Sequence, residues 1–492
     1  MSYRSNTRLQ SAVRFALAGG AVTVAAMAQA QQKAADADAS LGDVVVTGTR
    51  IAVPNEVSIS PVIAVTADQI QATGATRIED LMNSLPQVFA GQNSNVSNGS
   101  DGTATLNLRG LGSSRTLVLV NGRRLGPGDP GGGSAADLNQ IPAELVEKVD
   151  VLTGGASSVY GADAVAGVVN FQLNSHFEGL KIEANYGMYQ HHQDNIQGVG
   201  TTLADWNANY GTTFPAPPAN VNEGQTKNAS VVFGFNTADG KGNVTTYVTF
   251  RKVAAVLQSQ YDYSACTLYS GYTGGSSDTG GKFGGCGGSS TSYPGGFRQV
   301  NPATGAYRDF MGYDTNGNEI WAKNYKSTID FSNNTLRRYK SSDAYNYGPV
   351  NFYQRPDQRW TAGAFSHYEF NEHADVYTEV QYMNDRSISQ IAPSGTFNAN
   401  FNLSCENPYL SQAMLDKWCG GTSNTRPLEL LIGRRNVEGG GRQSDMEHTS
   451  FRAVVGSRGK IDDSWNYDVY AQTGITQLAE TYEHDLSLSR LN

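Results

Sequence analysis

From Gly179 onward the chain alternates apolar and polar residues with period two, and this pattern limits what it can fold into more than any other feature. Leu180, Ile182, Ala184 and Tyr186 share one face while Lys181, Glu183 and Asn185 share the other. The alternation recurs at Val244, Thr246, Val248 and Phe250, and at Val376, Thr378, Val380 and Tyr382 against Asp375, Glu379 and Gln381. It recurs again at Trp465, Tyr467, Val469 and Ala471 against Asn466, Asp468 and Gln472. Successive strand side chains point to opposite faces, so each run predicts a strand with one apolar face and one polar face. Further runs at 229–235, 360–370 and 451–456 bring the expected number of strands to seven.

A soluble β-sandwich alternates in the same way, but the connections discriminate. Short turns at 237–242, 371–372 and 460–463 alternate with long stretches at 187–227, 254–358 and 387–447. Short turns at one end and long loops at the other are the asymmetry of outer-membrane barrels. The mean hydropathy of -0.40 and the lack of a long apolar run beyond the N-terminus exclude a helical membrane protein. They leave a barrel open, because alternating faces dilute the hydropathy. Only 16% of residues are charged, against about 25% in ordinary soluble domains, which argues against a cytoplasmic enzyme. The net charge of -9 gives no footprint for a nucleic-acid partner.

Arg4, Arg8 and Arg14 precede an apolar run at 15–28 and then Ala28-Gln29-Ala30. This is the layout of a secretory signal peptide cleaved after Ala30, and the run is too short to span a bilayer as a helix. Export makes disulfides possible. Cys266, Cys286, Cys405 and Cys419 all lie in Gly/Ser/Asn-rich stretches between expected strands, and two local disulfides are expected, 266 with 286 and 405 with 419. Four cysteines permit three pairings. A zinc site is the alternative, but no C-x-x-C or Cys/His ligand spacing supports it, and no metal is expected.

Three segments ahead of the strands carry a more specific signal. They are GDVVVTGTR at 42–50, LNLRGLGSSRTLVLVNGRRL at 106–125 and EKVDVLTGGASSVYGADAVAGVVNFQ at 147–172. In that order they resemble the TonB-dependent outer-membrane receptors. The resemblance implies a mixed fold, a small α+β plug domain followed by antiparallel transmembrane β-barrel strands. It divides the chain into a signal peptide at 1–30, a disordered tether at 31–53, the plug at 54–177 and barrel strands with long extracellular loops at 178–492. Within the tether, Asp43, Val44, Val45, Val46 and Thr47 match the TonB box, which in relatives pairs with the periplasmic protein TonB as an added strand. A β-branched run on a flexible tether suits that role, since its backbone groups are free to join a sheet edge. The bland alternative is that these valines form the first strand of the domain.

Inside the plug, Thr66-x-x-Gln69 and Thr76-x-x-Glu79 are capping-box spacings, and the second helix should stop before Pro86. Strands are expected at 106–109, 116–120 and 149–152, with a type I′ turn at Asn121-Gly122 and a helix start at Pro142. Arg109-Gly110 matches a family motif in which a plug arginine pairs with barrel acids; a solvated surface arginine is the alternative. The run Gly126-Pro127-Gly128-Asp129-Pro130-Gly131 satisfies G-x-G-x-x-G, yet its two prolines remove N–H donors and no helix follows to hold a phosphate. No cofactor and no catalytic constellation is expected, so the chain is read as no enzyme.

Expected partners are TonB, outer-membrane lipid and a small ligand such as an iron chelate, cobalamin or a carbohydrate, the family's substrate classes, in the outer membrane of a Gram-negative bacterium. Tyr261, Tyr263, Tyr269, Tyr272 and Tyr307 make the loop at 254–358 the candidate for capturing that ligand, while His191 and His192 read as solvated loop residues. Family barrels have about 22 strands around a plugged lumen, so seven strands read as a truncated receptor or one part of a split one. Rival readings are a passive porin, a surface binding protein and a secreted β-sandwich hydrolase.

Overall fold

The computed structural model describes residues 62–489 except 67–68, 70–76, 132, 134, 155, 196–197, 211, 269–284, 334 and 488. The expected signal peptide and the segment from Asp43 to Thr47 lie outside the described residues, as do Tyr269 and Tyr272.

The plug is a mixed five-stranded sheet of β1 (Val62–Thr66), β2 (Thr116–Val120), β3 (Arg123–Arg124), β4 (Val146–Leu152) and β5 (Gly167–Leu173), in the order β1-β4-β5-β2-β3. The one parallel pair joins β2 to β5 at the centre. Central strands covered on both faces need continuous apolar sequence rather than alternation, and the TLVLV of β2 is buried at every position. Asn121 and Gly122 turn β2 into β3 with φ of 50° and 76°, the expected I′ geometry.

Gly167 opens β5 at φ 139°, where a Cβ would stand 2.3 Å from the Leu152 carbonyl, so this position admits only glycine. The helix Ile78–Asn83 ends before Pro86 and buries Ile78, Leu81 and Met82 against the sheet. The Thr66 N–H donates to Gln69 Oε1 at 3.0 Å, one half of the first capping box. Thr76 is not among the described residues, and the helix is entered from Arg77 without a side-chain cap. At Pro142 the expected helix is one 3-10 turn, Ala143–Leu145.

The second body is a meander of seven strands, the number expected. These are β6 (Gly179–His192), β7 (Asn220–Asn236), β8 (Gly242–Val253), β9 (Asp357–Asn371), β10 (Ala374–Ile391), β11 (Arg442–Lys460) and β12 (Asn466–Glu483). Each pairs antiparallel with its sequence neighbours, and among the described residues the sheet is open, with β6 and β12 at its edges. The strands run from 12 to 19 residues, longer than the about 9–11 that cross a bilayer. No helix of the described residues is long and apolar enough to cross a membrane.

Register shows which face is which. One row reads Ile182, Val231, Val248, Ala362, Tyr382, Phe451 and Ile475 across all seven strands, and most of it is exposed. The adjacent row on the other face includes Ser230, Thr249, Thr361, Met383 and Ser450, all buried. Apolar residues outside and hydroxyls inside invert the arrangement of a soluble sheet and match a surface facing lipid. The plug core continues into this inner face through Val232, Tyr247 and Phe365.

Two expectations need correction. The long connections are not plain loops: strands from the second and third, Thr335–Arg338, Ser327–Asp330, Gly296–Gln299, Pro427–Arg435 and Gly395–Ser404 in spatial order, join in one five-stranded sheet. Short strands paired across such a separation leave no local periodicity to read. His191 and His192 are the last residues of β6 rather than loop residues.

Candidate functional site

At the short-turn end, the β2–β3 hairpin presents Arg123 to the inner face of the strands. Its Nη1 donates to Glu379 Oε1 at 2.9 Å and its Nη2 to Asp468 at 3.4 Å. The guanidinium lies 4.4 Å from the Tyr377 ring centroid and 5.1 Å from that of Tyr470. Glu379 is shared: Arg452 Nη1 donates to its other oxygen at 2.8 Å and to Gln381 at 2.6 Å. Tyr377 can reach across because its strand partner is Gly456, where a Cβ would come within 2.4 Å of the ring. A guanidinium this far from water needs such partners, because an unpaired buried charge costs several kcal/mol or more.

At the long-loop end the donors come from the strands and loops and the acceptors from the plug. Arg359 donates to the Asn139 carbonyl at 3.2 Å, and to Asp385 and Asp357. Arg355 donates to the Asn93 carbonyl at 3.0 Å and to Ser387 at 2.8 Å. Asn139 is presented by a turn that Asp137 caps, accepting from the N–H groups of Ala104 at 2.9 Å and Asn139 at 3.0 Å. Burial pushes the Asp137 carboxyl up to about 7, against the lowering effect of those two N–H donors.

The plug also touches the loops. Ser97 donates to the Phe352 carbonyl at 2.7 Å, and Arg77 reaches Gln354, which accepts from the Tyr189 hydroxyl at 3.1 Å. Beside this chain of contacts Tyr261 and Tyr263 pack together at 5.2 Å, with Tyr353 at 5.9 and 6.0 Å from them and His191 at 5.3 and 5.7 Å. Burial, then Glu223, raises the Tyr261 phenol, and burial, then Tyr353, pushes that of Tyr263 up to about 12. Both are neutral hydrogen-bonding groups at ordinary pH. The structure thus brings two of the expected ligand tyrosines together, while Tyr307 stands apart in the loop sheet, 5.3 Å beneath Arg298.

The expected plug-to-barrel residues, Arg109 and Gly110, are exposed and lie over the plug. Arg109 and Gly110 both have positive φ, 55° and 70°, in the turn that ends the strand Leu106–Leu108. This turn carries the Arg109 side chain back over the plug, where it donates to the carbonyls of Val165 at 3.3 Å and Ala166 at 3.0 Å. Arg123 takes the interface role instead. Its position two residues beyond the Asn121-Gly122 turn was the available signal, since a hairpin tip projects farthest from its own sheet.

Both expected disulfides are present, Cys266–Cys286 and Cys405–Cys419. The second is buried with Trp418, Leu428 and Leu430 in a core of its own inside the loop sheet. Among the described residues no cluster of His, Cys, Asp or Glu could hold a metal ion.

Residues 54–168 match the family described as the TonB-dependent Receptor Plug Domain. The chain contains a TonB-dependent receptor plug domain. TonB-dependent receptors are outer-membrane transporters of Gram-negative bacteria rather than enzymes. Among solved structures, the ferric enterobactin receptor of Pseudomonas aeruginosa is similar at 13% identity and a TM-score of 0.37, covering 86% of this chain and 50% of its own. The siderophore receptor PirA from Pseudomonas aeruginosa matches at 11% identity and 0.33, over 86% of this chain and 52% of its own. The siderophore receptor PiuA from Acinetobacter baumannii matches at 11% and 0.37, over 88% and 49%. The chain spans about half the length of these receptors.

Proposed function

We propose that this chain serves energised uptake of a small ligand across a Gram-negative outer membrane, with TonB pairing to Asp43, Val44, Val45, Val46 and Thr47 and pulling on the plug. The observation that carries the reading is the Arg123 seat. Away from the apolar contact at Val232, Tyr247 and Phe365, the plug meets the inner face through ion pairs and backbone contacts. Ion pairs released into water recover most of their solvation, so a polar seat of this kind comes apart under force at smaller net cost than an apolar core of equal area. The ligand class is an iron chelate, cobalamin or a carbohydrate, passing Tyr261 and Tyr263 beside the plug.

Deleting residues 43–47 tests it, with uptake of a panel of ferric chelates, cobalamin and oligosaccharides as the readout. Loss of uptake with ligand binding retained is the expected result. Uptake unchanged by the deletion means passive diffusion, and the transport reading then fails.

A further inference from the structure

The loop sheet borders a half-open cavity of about 710 Å³ that the transport reading does not use. Three cations line it, Arg298, Lys326 and Arg338, together with Tyr307, Tyr325 and Tyr339, and no carboxylate lines it among the described residues. Each cation lies against a tyrosine ring: Arg298 at 5.3 Å from Tyr307, Lys326 at 4.0 Å from Tyr339 and Arg338 at 5.8 Å from Tyr325. The ring faces hold the cations in place without neutralising them.

The nearby acid is already engaged. Asp343 takes both terminal nitrogens of Arg337, at 2.8 and 2.5 Å. Lys326 donates to the neutral Ser290 carbonyl at 2.6 Å, and Arg298 Nε is buried with no hydrogen-bond partner. Burial, then the charge of Arg298, pulls the Lys326 ammonium below its usual value, and the opposing pull of Asp343 is the smallest of the three. Like charges held together cost free energy, and a bound anion relieves it.

We propose that this cavity binds a small oxyanion carrying two or more negative charges, as the first capture site for the ligand. The proposal rests on the transport reading for its purpose but not for its chemistry. Soluble polycarboxylates and phosphates and the phosphates of an outer-membrane lipid share that chemistry.

The test is calorimetric titration of the full chain with citrate, with pyrophosphate and with vesicles containing lipid A, and with neutral maltotriose as a control. Saturable binding of citrate or pyrophosphate is expected, weakened about tenfold by Arg298→Gln or Lys326→Gln, the loss of one charged hydrogen bond. Lys323→Gln, an exposed cation outside the cavity, should leave binding unchanged, and far-UV circular dichroism of each variant confirms that it has folded. Binding to lipid A vesicles alone overturns the capture role, and so does anion binding that survives R298Q/K326Q in a folded chain. If residues 43–47 can be deleted without loss of uptake while the anion still binds, the transport reading fails and the anion site stands. If uptake needs residues 43–47 but no anion binds, the site fails alone.

Discussion

Arg123 of the plug and Glu379 of β10 meet at 2.9 Å although 256 residues separate them in sequence, and both side chains are largely out of water. Glu379 also neutralises Arg452, so it is the hinge of a four-residue charge cluster that Asp468 completes through Arg123.

The two partners should therefore differ in cost. Arg123→Gln leaves Glu379 paired with Arg452, whereas Glu379→Gln leaves two buried guanidiniums with weaker acceptors. Losing one partner of a buried pair costs about 3–5 kcal/mol, and Glu379→Gln should fall at the upper end with Arg123→Gln below it. Chemical unfolding of both single variants and the double variant checks the order. Equal costs that add in the double variant would mean that the pair is not coupled.

Gly167→Ala should destabilise the plug by about 2 kcal/mol or more, since it adds a Cβ against the Leu152 carbonyl at a φ that L residues avoid. Limited proteolysis should cut the plug of this variant before the strands. A plug as resistant as the parent's would show that β5 can shift to make room.

The Asp137 carboxyl, held up at about 7 in the folded state by burial, favours the protonated form from that value down to its ordinary one near 3.8. The folded chain then binds more protons than the unfolded chain across that window, so this group's contribution to stability falls as pH rises through it. Asp137→Asn keeps the acceptor for the Ala104 and Asn139 N–H groups and removes the titration. The variant should gain on the parent as pH rises from 5 to 8, read as the difference in melting temperature. A difference that does not change with pH would refute the assignment.

Val248 lies in the outward apolar row and is exposed. If that row faces lipid, Val248→Arg costs about 2–4 kcal/mol near the midplane. The fraction of chain resisting an alkaline wash of membranes should drop accordingly. An unchanged fraction would place this row in water.

Much of the barrel sheet was readable because a strand's two faces meet different surroundings at every second residue. Val244 to Phe250 and Val376 to Tyr382 show their apolar faces in the sequence itself, and the Asn121-Gly122 turn is legible through its backbone chemistry. Arg109 and Arg123 both follow apolar strands within one motif, so the sequence does not separate them. What separates them is the direction of the chain after the strand, where two positive-φ residues turn Arg109 back and a hairpin carries Arg123 outward.

The sequence by itself determined the seven strands and the division of each into an apolar and a polar face, because these follow from local periodicity. Only the tertiary structure decided that Glu379 serves both Arg123 and Arg452, that two distant loops share one sheet, and that Arg298, Lys326 and Arg338 line one cavity. Those contacts join residues that no local repeat relates, and their energies depend on what burial leaves unpaired.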